Sequence, residues 1–157
     1  MRYSLPNPRY GNNCIDANLP DLSGEPEDVA EIIALWDARK FILVVPSSVR
    51  RELKHPNTPA YVKKIALRMI YTLDVALTES EVQMIERMKK IIQGNAGPGK
   101  HHQDATHLVE AAKYGRYFIT KDARLLAKAD IVREMIPLHI VRPSKFLEAY
   151  HAHPERE

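Results

Sequence analysis

Four acidic residues carry the chemical potential of this chain: Asp16, Glu52, Asp104 and Asp122. Each follows or opens an element that would deliver it to a common edge. Two carboxylates about 4 Å apart repel by ~1 kcal/mol in water and ~4 kcal/mol at an effective dielectric of 20. Four gathered together therefore require a compensating cation. Carboxylate and water ligands suit Mg²⁺ or Mn²⁺, and the single cysteine, Cys14, argues against a thiolate-rich zinc site. A divalent ion so held accepts a phosphate oxygen and activates water. In a chain of net charge +3, that chemistry points to phosphodiester hydrolysis.

The elements that must position these acids are legible in the hydrophobic pattern. Between His101 and Leu126 the chain reads as helix, turn, strand and helix. Ala105, Leu108, Val109 and Ala112 recur at helical spacing. Tyr114-Gly115 ends that helix, with Gly115 expected as a left-handed cap, and Tyr117-Phe118-Ile119-Thr120 has the composition of a short buried strand. A helix preceding a strand of a parallel sheet runs antiparallel to it and starts at the edge where the strand ends. Asp104 and Asp122 thus share the carboxyl edge, where open α/β sheets bind ligands.

The remaining elements follow in order. Residues 1–13, broken by Pro6, Pro8 and Gly11, read as an irregular arm, and Cys14-Ile15 as a strand ending at Asp16. A helix opening over Gly24–Asp28 would bury Val29, Ile32, Ile33 and Trp36. The apolar run Phe41–Val45 is a strand covered on both faces; Ser47 or Ser48 then caps a short helix bearing Glu52, closed by Pro56. Helices are expected from Ala60 to about Met69, and from Thr78 to Ile92 with Val82, Ile85, Met88 and Ile92 facing inward. Tyr71–Ala76 fits a strand, with helix the competing assignment. A glycine-rich loop over 94–100 leads to Asp104. One helix is expected from Asp122 to about Met135, then a strand Leu138–Val141 and a helix from Pro143 to Tyr150. Alternating helices and apolar strands predict a single α/β domain over 1–157, with its core at about 14–150 and a mostly parallel sheet.

Each acid also has a plainer role: Asp16 as a turn residue, Asp104 and Asp122 as helix N-caps, Glu52 as a solvated glutamate. What sets them apart is convergence on one edge. Around them lie Arg50, Arg51, Lys54, Lys100, Lys121 and Arg124, cations suited to a phosphate backbone or simply to solvent. His101, His102 and His107 surround Asp104, where a zinc site of histidines and an aspartate competes with a solvated loop touching phosphate. Trp36, Met69, Met84 and Met88 read as core, and Cys14 as buried and inert. No apolar run approaches the roughly 20 residues of a membrane span, and the N-terminal residues contain no signal-peptide core. A cytoplasmic protein is the expectation.

Asp16-Ala17-Asn18, the Val-Pro-x-x-Val-x-x-Glu-Leu pattern of 45–53, Asp104-Ala105, and Phe118-Ile119-Thr120-x-Asp122 together resemble the four ordered motifs of PIN-domain ribonucleases, and by size the VapC-like toxins of type II toxin–antitoxin pairs. The resemblance spans about residues 12–150. It implies a three-layer α/β/α fold and Mg²⁺- or Mn²⁺-dependent cleavage of RNA, with water attacking in line to leave a 3′-hydroxyl and a 5′-phosphate. It further implies Asp16, Glu52, Asp104 and Asp122 as the metal-binding quartet, Asn18 supporting the first acid, and Thr120 orienting Asp122 or a water. An antitoxin partner and a homodimer, through helical surface in 60–92, are implied too. A non-catalytic PIN-like binding module and a housekeeping RNA-processing or flap nuclease are the alternative readings.

Overall fold

Parallel strands must be joined by crossovers, and the chain alternates short apolar strands with helices long enough to make them. The computed structural model describes residues 5–16, 26–54, 56–66, 68–71, 77–93 and 102–153. Strands β1 (Asn12–Ile15), β2 (Ile42–Val45), β3 (Ile70–Tyr71), β4 (Tyr117–Ile119) and β5 (His139–Val141) form one sheet in the order β3-β2-β1-β4-β5, every pair parallel. The helices are α1 (Pro26–Asp37), α2 (Ser47–Leu53), α3 (Ala60–Ala66), α4 (Glu79–Gln93), α5 (His102–Tyr114), α6 (Ala123–Ala127), α7 (Ala129–Met135) and α8 (Pro143–Ala152). The successive connections β1-α1-β2 and β4-α6-α7-β5 move in opposite directions across the sheet, so right-handed crossovers place helices on both faces. α1 packs with α8, and α5 lies on β1 and β4 beneath α4. The result is a three-layer α/β/α domain.

Its core comes from the strands and the inner helix faces: Ile15, Leu43, Phe118, Ile119, Leu108, Met88 and Phe146 are fully buried. Phe41, Phe146, Tyr117 and Tyr150 meet edge to face, with centroids 5.1–5.6 Å apart. Thr78 and Glu81 close a reciprocal capping box at the start of α4, Thr78 N–H to Glu81 Oε1 at 3.1 Å and Glu81 N–H to Thr78 Oγ1 at 3.2 Å. Together with Lys113 on α5, which pairs with Glu81 at 3.0 Å, the box holds the Glu81 carboxyl below its ordinary range. Among the described residues no helix is long and apolar enough to cross a membrane.

Several expectations change. The first strand starts at Asn12, inside the segment expected to be irregular. Asn13 is buried there because its Nδ2 donates to the carbonyls of Pro8 and Ile42, both at 2.9 Å, so a polar residue occupies a strand interior with its hydrogen bonds made. The arm before it is anchored: Tyr117 donates its hydroxyl to Pro6 O at 2.6 Å, and Arg9 stacks on Tyr150 at 4.1 Å. Val82 is exposed rather than inward-facing, and Trp36 is half-buried beneath the Arg68 guanidinium. The helix expected from Asp122 to Met135 divides at Lys128, whose N–H turns back to Leu125 and Leu126 carbonyls; with no glycine or proline there, the local sequence does not mark the break. The third strand begins at Ile70, and residues 72–76 lie outside the described residues.

Gly115 has a different reason for being glycine than the one expected. Its φ is not left-handed. A Cβ at this position would instead stand 2.6 Å from Asn12 O and 3.2 Å from Cys14 Sγ, so glycine allows the α5–β4 turn to lie against the backbone of β1. Gly115→Ala is therefore expected to destabilise by about 1–3 kcal/mol, the usual range for overpacking, visible as a fall of several degrees in Tm. At the sheet edge, burial first, then Arg133 and Arg116, push the His139 imidazole down from 6.5 to about 4. The unfolded chain takes up a proton near pH 6.5 that the fold refuses, so this group's contribution is complete above that value and is lost as pH falls toward 4. Urea unfolding across this window should show a shallower pH slope for His139→Gln than for the wild type.

Candidate active site

In parallel strands of matched register, the residues following the last pair emerge together. β1 and β4 pair Ile15 with Ile119, so Asp16 and Thr120 leave the sheet side by side. Asp16 N–H bonds Ile119 O at 3.0 Å, and Thr120 N–H bonds Val141 O at 3.0 Å. With both backbones fixed, Thr120 Oγ1 donates to Asp16 Oδ2 at 2.7 Å and accepts the Asp122 N–H at 3.0 Å. Thr120 is fully buried and Asp16 is 7% exposed. The threonine thus links both acids, touching the carboxylate of Asp16 and the backbone of Asp122.

Asp122 is also the N-cap of α6, accepting Arg124 N–H on Oδ1 at 2.9 Å. Capping does not exclude ligation, because a carboxylate offers about four lone-pair sites on two oxygens. Asp104 is not a cap: it is the third residue of α5, within the first turn, half-buried at the positive end of the helix dipole. Glu52 lies on α2, which follows β2 directly. The backbone therefore delivers all four acids to the carboxyl edge. Asn18, Lys100 and His101 lie outside the described residues, as do the side chains of Glu52 and His102. Arg50, Arg51 and Arg124 are exposed and Lys121 is half-buried, so the cations flank the acids on α2 and at the β4–α6 turn.

Among the described residues no three of His, Cys, Asp and Glu converge closely enough to cage a metal ion. That arrangement is compatible with Mg²⁺, which keeps several waters and is held by one or two carboxylates together with substrate phosphate. The donors here are hard oxygens and fit Mg²⁺ or Mn²⁺.

Beneath the acids lies a polar network that the sequence pattern did not reveal. Ser48, His107 and Glu110 are buried at 7, 1 and 8% exposure. Glu110 Oε2 accepts the Ser48 N–H at 2.9 Å and also the Ser48 hydroxyl, and the same hydroxyl oxygen lies 2.6 Å from His107 Nδ1. Serine has one hydroxyl proton. With that proton given to Glu110, the contact requires hydrogen on His107 Nδ1. The histidine expected beside Asp104 thus has Nδ1 engaged with Ser48 of α2. Glu110 acts on α2 from a neighbouring helix as an N-terminal acid would, fixing the helix that bears Glu52 against the helix that bears Asp104. Its charge also adds to burial in raising the Cys14 thiol to about 12. The only sequence signal was a His and a Glu three apart amid small apolar residues.

A scan against protein-family models finds none that matches the chain, and a search of curated proteins finds no match.

The network has a measurable strength. Ser48→Ala and Glu110→Ala should each cost about 1.5–3 kcal/mol, the range for hydrogen bonds to charged groups. The double variant should lose less than the sum of the singles, as coupled partners do. Urea unfolding of all four proteins checks this; strict additivity would mean that the two side chains do not act on each other.

Proposed function

We propose that this protein is a metal-dependent endoribonuclease of PIN-like type, acting in the cytoplasm as the toxin of a toxin–antitoxin pair. The observation that carries the proposal is the position of Asp16 and Asp122, joined through Thr120 at the carboxyl ends of β1 and β4. In the order β3-β2-β1-β4-β5 the chain builds outward from β1 on one side and from β4 on the other. The gap between them is the topological switch point, where open α/β sheets bind ligands. Acids at that point, with cations around it, suit a phosphodiester neutralised by a divalent ion.

Asp16, Asp104 and Asp122, with Glu52 from α2, would hold Mg²⁺ or Mn²⁺. Bound there, the ion supplies positive charge against the phosphate and lowers the pKa of water. Thr120 keeps the Asp16 carboxylate in one orientation, a constraint typically worth 10- to 100-fold in metal affinity. Arg50, Arg51, Lys121 and Arg124, with Lys100, would hold the RNA backbone on either side of the scissile bond. Asn18 would support Asp16. An antitoxin protein and a second copy of the chain are the proposed partners.

RNA cleavage with Mg²⁺ or Mn²⁺, and its loss on chelation, tests the reading. Asp16→Asn and Asp104→Asn, which remove charge at constant size, should each slow cleavage by about 100-fold or more, the scale of removing one electrostatic contributor. Thr120→Val should raise the Mg²⁺ needed for half-maximal rate by ~10-fold or more. Intact RNA under both metals, or an Asp16→Asn variant that cuts at the wild-type rate, would reject the nuclease in favour of a binding module.

A further inference from the structure

The sheet ends at β5, and among the described residues no strand pairs beyond it. In a parallel pair, the residues whose N–H and C=O face the neighbour alternate with residues that face away. His139 N–H bonds Arg116 O and Val141 O accepts Thr120 N–H, so the Ile140 peptide groups point outward. They open into a groove of about 800 Å³, within the size range of ligand sites. α7 contributes Ala129 and Arg133 to one wall, Lys145 of α8 lies on the other, and Leu126, Leu138 and Val141 add apolar surface.

We infer that this groove takes an extended acidic peptide from a partner protein, added to β5 as a sixth strand. The charges select the sign of the ligand. Arg133, Arg142 and Lys145 line the groove against one lining acid, Asp130. Lys145 also pairs with Glu148 of its own helix at 3.3 Å, which still leaves the groove net positive. Burial and the neighbouring arginines hold His139 neutral near pH 7. An outward-facing backbone edge beside apolar side chains is what strand addition uses, with main-chain hydrogen bonds giving affinity and alternate side chains giving specificity. Single-stranded nucleic acid would instead call for aromatic stacking platforms, and among the described residues no Phe, Tyr or Trp lines the groove. A second copy paired edge to edge would bring two sets of these cations to one seam. The inference does not depend on the nuclease reading, since no quartet residue lines this groove.

A fluorescein-labelled peptide of four Val-Glu repeats, followed by anisotropy, tests this with the full chain. Saturating peptide should slow hydrogen exchange of the Ile140 amide by about tenfold or more. Arg142→Glu with Lys145→Glu should weaken binding by about tenfold or more, and a Val-Lys peptide should not bind. Lys145→Gln, a milder change at an exposed site, keeps the charge test available if the double variant fails to fold. Absence of binding at millimolar peptide, an unchanged Ile140 amide, or equal binding by the charge variants would overturn the assignment. So would protection of Ile140 by single-stranded RNA in place of the peptide, or by self-association seen in sedimentation.

Discussion

Glu110 reaches from α5 to the first turn of α2 and accepts both the N–H and the hydroxyl of Ser48. α2 has only seven residues, too few to hold a helical conformation unaided. Its direction is therefore set from outside, by burial of Val49 and Leu53 and by this carboxylate. α5 in turn lies on β1 and β4, so the position of Glu52 is referred through Ser48 and Glu110 to the strands that carry Asp16 and Thr120. A buried carboxylate is expensive unless its hydrogen bonds are made, so the network favours one placement of α2 and penalises its neighbours. The acidic edge inherits that selectivity.

The same economy operates at the switch point. Matched register in β1 and β4 brings Asp16 beside Thr120 without help from loops, and one hydroxyl then donates to the Asp16 carboxylate and accepts the backbone N–H of Asp122. Groups built on strand ends are held more tightly than groups built on loops. That is the kind of support the divalent ion proposed for this edge would need, since such an ion keeps several waters and takes few protein ligands. Charge is distributed to match, with Arg50, Arg51 and Arg124 exposed, Asp16 buried, and Asp104 and Asp122 half-buried.

Most of the architecture was legible because it follows from local pattern. The apolar run at 41–45, the aromatic stretch at 117–119 and the alternation with helices predicted a parallel sheet, and chain direction alone put Asp104 and Asp122 on one edge. What escaped depends on neighbours distant in sequence. Asn13 looked like loop because its partners, Pro8 O and Ile42 O, are invisible to a pattern along the chain. Gly115 looked like a helix cap, yet its constraint is the Asn12 carbonyl some hundred residues away. His107 looked like a potential ligand because it lies one helical turn from Asp104, but its Nδ1 faces Ser48. Asp122 was readable either as a cap or as a site acid, and its geometry accommodates both.

The lone thiol offers a different use of the same structure. Cys14 sits fully buried in the central strand, its Sγ 3.8 Å from Ala111 O and its acidity suppressed to about 12 by burial and by Glu110. Thiol reagents attack the thiolate, so the native state is nearly inert toward them. Alkylation then proceeds through openings that separate β1 from α5, the two elements whose contact holds the acidic edge together. The protein carries an internal clock for its own breathing: where reclosing outpaces alkylation, the ratio of the observed labelling rate to that of an unfolded cysteine gives the free energy of this opening, with no residue replaced.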